Sequence, residues 1–159
     1  MHQPTPYVQT WIASQNQLRL TPLVDPVIDA VGYDTTDFYA ETYWLPVIGP
    51  SALWALRRLA TWVTATPDGL VVPLTDLAHE LGLGGGTGRN APVVRTLARL
   101  VVFEMAQIDR TRDSLAVRRR VPPLARRHIR RLPEHLALLH GSGPDLSQAT
   151  FADAPPVQR

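Results

Sequence analysis

The stretch that decides the fold runs from Leu74 to Leu115: Leu74-Thr-Asp-Leu-Ala-His-Glu-Leu-Gly-Leu83, then Gly84-Gly-Gly-Thr-Gly-Arg-Asn90, then Ala91-Pro-Val-Val-Arg-Thr-Leu-Ala-Arg-Leu-Val-Val102, followed by two short runs that end at Leu115 and beyond. It reads as helix, glycine turn, helix, hairpin. Thr75 is a natural N-cap, and Asp76 sits where the helix dipole favours a negative charge. Leu77, Ala78, Leu81 and Leu83 supply an apolar side, and Gly82 is placed to end the helix in the left-handed conformation. Asn90 is a candidate cap for the second helix, with Pro92 tolerated in its first turn. On that helix Val93, Val94, Leu97, Leu100 and Val101 recur at the 3.6-residue period, while Arg95 and Arg99, four apart, point the other way.

Outward from this core, Gly49-Pro50-Ser51 opens an earlier helix whose buried stripe is Leu53, Leu56, Leu59, Ala60 and Val63. Trp54, Arg58 and Trp62 lie on an adjoining face, suited to the N-terminal segment or to a partner helix. Thr66-Pro67-Asp68-Gly69 is a turn, and Leu70-Val71-Val72 is a short strand closed by Pro73. Phe103 to Ile108 alternates enough for a strand, Asp109 to Ser114 is a polar loop, and Leu115 to Arg119 is the return strand.

The order helix, strand, helix, helix, strand, strand, spanning roughly residues 50–121, resembles the winged helix-turn-helix domain. The resemblance implies a mainly α fold with a small β-hairpin wing (α+β). It also implies that the second helix of the pair, about 90–101, enters a DNA major groove, with the wing as a second contact. The competing reading is a plain helical hairpin in which Arg95 and Arg99 are a solvated face. Separately, Trp44-Leu-Pro-Val-Ile-Gly-Pro50 and Leu115-Ala-Val-Arg-Arg-Arg-Val-Pro-Pro123 resemble segments of small actinobacterial proteins, a resemblance that carries no function with it.

The 159 residues suit one core domain with extensions, large enough to bury a full core. Residues 1–33 are polar and interrupted by Pro4, Pro6, Pro22 and Pro26, yet hold too many apolar groups for a disordered tail. They read as an arm that lies on the domain or on a second subunit, with a short helix near 25–31 ended by Gly32. Residues 34–140 form the winged-helix domain with its flanking helices, its core at 50–121. Asp34 to Trp44 reads as a helix stopped by Pro46, and the aromatic stripe of Phe38, Tyr39 and Tyr43 suits core or interface, homodimerisation included. Short helices are expected over 124–132 and 133–140, and residues 141–159 have the composition of a flexible tail.

The net charge of +2 hides an asymmetry. All sixteen basic residues are Arg, and twelve of them fall within residues 86–131 beside only Glu104, Asp109 and Asp113. Residues 1–56 carry Arg19 against five acids. A GC-rich coding bias explains Arg in place of Lys but not this clustering, which is the footprint of a polyanion binder or, more blandly, a solvated basic face. Arg89, Arg95 and Arg99 are the groove-facing candidates, with Asn90 and Thr96 beside them as base or phosphate contacts. Arg110 and Arg112 sit at the wing tip. Arg118, Arg119 and Arg120 alternate along a strand, so Arg118 and Arg120 share one face; pairing with the acidic N-terminal third is the main competing use of this charge.

Other chemistry finds little support. Without cysteine there are no disulfides, thiolate metal sites or cysteine nucleophiles. The glycine run lacks the Lys and hydroxyl of a phosphate loop, and its spacing misses the dinucleotide fingerprint. The five His show no ligand spacing, so no metal or cofactor and no enzymatic activity are expected. Met1-His-Gln-Pro-Thr-Pro6 lacks the parts of a signal peptide, and no run approaches a membrane span. The expectation is a cytoplasmic, nucleoid-associated protein that binds double-stranded DNA and regulates transcription. The alternative is a winged-helix module docking on transcription, replication or chromosome machinery, for which the aromatic-rich N-terminal third is the support.

Overall fold

The computed structural model describes residues 3–141; the tail expected beyond Gly141 lies outside them. It shows a mainly helical α+β fold built on a small mixed sheet. In chain order the elements are α1 (Thr5–Ala13), β1 (Gln17–Pro22), α2 (Pro26–Val31), β2 (Tyr33–Asp34), a π-helical turn (Ala40–Trp44) running into α3 (Leu45–Ile48), α4 (Pro50–Ala65), β3 (Leu70–Pro73), α5 (Leu74–Glu80), α6 (Pro92–Val102), β4 (Ala106–Asp109), β5 (Ser114–Val117), β6 (Arg120–Val121), α7 (Arg126–Ile129) and α8 (Glu134–Gly141).

The larger sheet has the order β3-β1-β5-β4, and β2 pairs with β6 in a two-stranded ribbon. β1 therefore lies inside the sheet, antiparallel to β3 through Leu18–Val72 and parallel to β5 through Leu20–Leu115. This departs from the reading of residues 1–33 as an arm laid on the domain: the segment supplies a central strand. The physical reason is burial. Leu18 and Leu20 alternate with Gln17 and Arg19 and are fully buried, and Thr21 bonds Ser114 at 2.9 Å across the parallel pair. Upstream, α1 lays Val8 and Ile12 into the core beside α6. The Gln3 side chain then mimics a strand against the free edge of β4, accepting from Ile108 N–H at 3.1 Å and donating to its carbonyl at 3.2 Å.

The helix expected to stop at Pro46 instead continues to Ile48. Proline inside a helix lacks the N–H and crowds the carbonyl four residues back. The chain meets this by widening to a π turn just before Pro46, a known way of admitting such a residue. Gly49, with φ 84°, then breaks the run and serves as N-cap of α4. All five residues assigned to the buried stripe of α4 are buried.

α5 begins two residues earlier than expected, with Pro73 rather than Thr75 at the N-cap position. Its end is as read: Gly82, φ 67°, donates to His79 O at 3.0 Å while Leu83 donates to Ala78 O at 2.8 Å, the paired closure of a left-handed C-terminus. α6 ends the same way with Glu104 in the left-handed place, φ 61°, where Glu104 N bonds Val101 O and Met105 N bonds Leu100 O. That turn occupies Phe103–Glu104 and delays the strand to Ala106.

The aromatic stripe is core. Tyr39, Tyr43 and Trp44 are buried within their own chain. Tyr33 stacks on Tyr39 at 3.8 Å, Leu124 N donates to the Tyr39 hydroxyl, and Trp44 Nε1 donates to Pro122 O, each at 2.8 Å. Burial pushes the Tyr39 hydroxyl up to about 12. These side chains are taken up within the chain, where residues 122–124 dock on them, and of the stripe Phe38 stays open. No helix among the described residues is long and apolar enough to cross a membrane.

Candidate nucleic-acid interface

α6 is the helix from which any groove contact would be made. Its expected apolar face is buried, and so are Thr96 and Ala98, giving seven buried residues in eleven. The cause is tertiary: α1, α4, α5 and β4 all pack against it. What stays open is one stripe, Pro92, Arg95 and Arg99, continued by the half-buried Val102. Ala91, rather than Asn90, caps the helix, which leaves Arg89 and Asn90 exposed on the glycine turn.

The candidate residues separate on this geometry. Arg95 and Arg89 are exposed and have no partner among the described residues. Arg99 is on the open stripe but engaged: Nε donates to Ile48 O at 2.5 Å, Nη2 to Val47 O at 3.1 Å, and the guanidinium lies 5.1 Å from the Phe103 ring centre. It satisfies the last carbonyls of α3, a favoured place for a cation, so its role as a base reader is corrected. Thr96 is likewise corrected, being only 7% exposed.

At the hairpin, Arg110 lies 5.0 Å from the Tyr7 ring centre and donates Nε to its hydroxyl at 3.1 Å, which holds it on α1. Arg112 remains mostly exposed, its Nε 3.9 Å from Asp109. Asp109 braces the loop by accepting from the Thr111 hydroxyl, Thr111 N and Arg112 N, contacts that hold its carboxyl below its ordinary value.

The 118–120 run is consumed internally. Arg118 pairs with Asp25 at 2.8 Å and donates to Glu104 O, Arg119 pairs with Asp29 at 2.7 Å, and Arg120 donates to Gly32 O at 3.1 Å. Asp25 is also the cap of α2, accepting from Ile28 N; the Arg118 hydrogen bond, with that amide, holds its carboxyl below the usual range. As contacts for DNA, Arg118 and Arg120 are thus corrected: the acidic N-terminal segment already neutralises or occupies this face.

Beyond the expected set, Arg19 on β1 and three arginines near α7 are also free. Arg126, Arg130 and Arg131 on and after α7 are exposed with no hydrogen-bonded or ion-paired side-chain partner among the described residues. Their charge was visible in sequence; what was missing was that no acid folds onto them. Beside them His128 is buried against Trp44 and Phe103, and burial, with Arg127 and Arg131 nearby, pulls its pKa below the ordinary value. Among the described residues, no cluster of His, Asp and Glu is arranged to hold a metal ion.

Comparison with family models, with curated proteins and with solved structures returned no match.

Proposed function

We propose that the chain is a winged-helix protein that contacts duplex DNA by neutralising phosphates at the N-terminal end of α6, rather than by laying that helix deeply into a groove. The succession α4, β3, α5, α6, β4, β5 supports the fold reading, with β1 as an inserted strand between the two that flank it. The observation that carries the function is the pair Arg89 and Arg95, exposed beside a helix N-terminus without an internal counter-ion. Phosphate contacts of this kind position a protein and make its affinity salt-dependent, with little sequence reading.

Fluorescence anisotropy against a duplex across a salt series tests this. Each neutralised phosphate adds about −0.9 to the slope of log K against log salt. Arg89→Ala/Arg95→Ala is expected to flatten the slope by about 2 and to weaken binding. No binding at low salt, or a slope unmoved by the double variant, refutes the proposal.

A second reading, protein docking, is favoured by a separate observation. Val24 just before α2, and Val27 and Val31 on it, stand 69%, 66% and 62% exposed, and Trp54 is 64% exposed on α4. Apolar groups placed this way suit a partner surface better than a phosphate backbone. Trp54→Ser abolishing capture of a partner that Arg89→Ala/Arg95→Ala still captures would establish it.

A further inference from the structure

The open stripe of α6 does not face flat solvent. It forms one wall of a cleft of about 560 Å³, closed by α1 and by the α3–α4 junction, a volume in the range of small-molecule sites. Arg95 and Arg99 line it, and no Asp or Glu does. Two cations share this concavity without an acid, whereas Arg57, Arg58, Arg112, Arg118, Arg119 and Arg127 each meet a carboxylate.

The opposite wall is the start of the sixteen-residue α4. Pro50 has no N–H, and the first amide with a helical acceptor is that of Leu53, which bonds Gly49 O. The amides of Ser51 and Ala52 are therefore left without acceptors at the positive end of a long helix dipole. The third feature is independent of both. Thr96 lines the same cleft, is 93% buried by its 7% exposure, and its hydroxyl has no hydrogen-bond partner among the described residues. Threonine in a helix ordinarily returns its hydroxyl to a carbonyl of the preceding turn, as Thr61, Thr64 and Thr66 do here. Thr96 forgoes that bond, which leaves its hydroxyl available to a ligand in the cleft.

We propose that this cleft binds a small organic anion. Its head, a phosphate or carboxylate, would take the Ser51 and Ala52 amides, the Thr96 hydroxyl and the Arg95 guanidinium. Its apolar body lies along Leu83, Val102 and Phe103, which line the same space. Arg99 is a positioning residue: its bonds to Val47 O and Ile48 O hold the α3–α4 junction, and hence the α4 amides, against α6. The inference does not depend on DNA binding and stands or falls by itself.

The test is a ¹H–¹⁵N titration of the full chain with inorganic phosphate, phenyl phosphate, benzoate and benzyl alcohol, ionic strength held constant with chloride. Expected are saturable shifts concentrated at Ser51, Ala52 and Thr96, with phenyl phosphate several-fold tighter than inorganic phosphate. The stronger of phenyl phosphate and benzoate identifies the head group. Thr96→Val keeps shape and helix while removing the hydroxyl, and roughly tenfold weaker binding is expected. Arg95→Gln, at an exposed position that does not threaten folding, is expected to weaken binding by a similar factor. Benzyl alcohol binding as well as the anions, shifts spread evenly over the free arginines including Arg126, Arg130 and Arg131, or affinity unmoved by both variants would each overturn the proposal.

Discussion

Arg118–Arg120 and the pair Arg89 and Arg95 look alike in sequence and end in opposite states. The first group meets Asp25, Asp29 and the Gly32 carbonyl, residues some ninety positions earlier. The second stands on and beside a glycine turn with no acid folded against it. What separates them is β1. By pairing in parallel with β5 it carries the chain directly into α2, so the two acids of that segment arrive beside the strand's end. Charge density is a property of sequence, but available charge is a property of pairing topology.

The largest expected effect tests whether β1 is structural. Leu20 is fully buried in the middle of the sheet. Leu20→Ala is expected to cost about 2–5 kcal/mol in urea unfolding, the range for a buried Leu. A loss well under about 1 kcal/mol, typical of surface positions, would return residues 1–33 to the status of a loosely laid arm and remove the basis of the contrast.

The next effect sharpens it. Asp25→Asn/Asp29→Asn leaves Arg118 and Arg119 in place but without their carboxylates. If the N-terminal acids are what withhold those cations, DNA binding gains and the salt slope steepens by up to about 2, from two newly available phosphates. An unchanged slope would mean that the face is turned away from DNA regardless of its charge.

These two regions also mark where sequence sufficed. α4, β3, α5, α6 and the β4–β5 hairpin were legible because each is carried by local periodicity or a turn: Leu53 to Val63 at helical spacing, Gly82 as a left-handed terminus. β1 was not, although Leu18 and Leu20 alternate with polar neighbours. Its run is short, it ends at Pro22, and its partner β5 lies far along the chain, so no local signal announces a central strand. For the candidate site, residue types were legible and roles were not. Arg99 and Arg95 are equivalent on a helical wheel, and only the arrival of the α3 carbonyls separates them. Thr96 was placed on the open side, yet α6 is packed on more sides than an isolated amphipathic helix would be.

A smaller effect concerns the second cluster of free arginines. His128 Nε2 accepts from Arg127 Nε at 3.0 Å, a bond that requires the neutral imidazole, and burial is the leading cause of its lowered pKa. The unfolded chain therefore takes up this proton more readily than the folded one. Its contribution to stability is complete above the ordinary value of 6.5 and is lost as pH falls through that value towards the lower folded one. Urea midpoints between pH 8 and pH 5 are expected to fall, and His128→Gln to flatten that fall. A pH dependence identical in the variant would place the effect on the carboxylates instead.

The smallest effect lies at the end of α6. Glu104 holds φ 61°, a conformation natural to glycine and costly to a residue with a Cβ, in a turn that ties α6 to β4. Glu104→Gly removes that strain but also the 3.7 Å pairing with Arg127, whose two side chains are 67% and 69% exposed. Exposed pairs of this kind contribute little, and the backbone carbonyl that binds Arg118 is retained. The variant is expected to gain about 0.5–1 kcal/mol, read as a raised urea midpoint with an unchanged m-value. Arg127, still bonded to His128 but without its carboxylate, then stands beside Arg126, Arg130 and Arg131, so a steeper DNA salt slope in the same variant would extend the binding surface from the N-terminal to the C-terminal end of α6. A steady slope would leave Arg127 outside it.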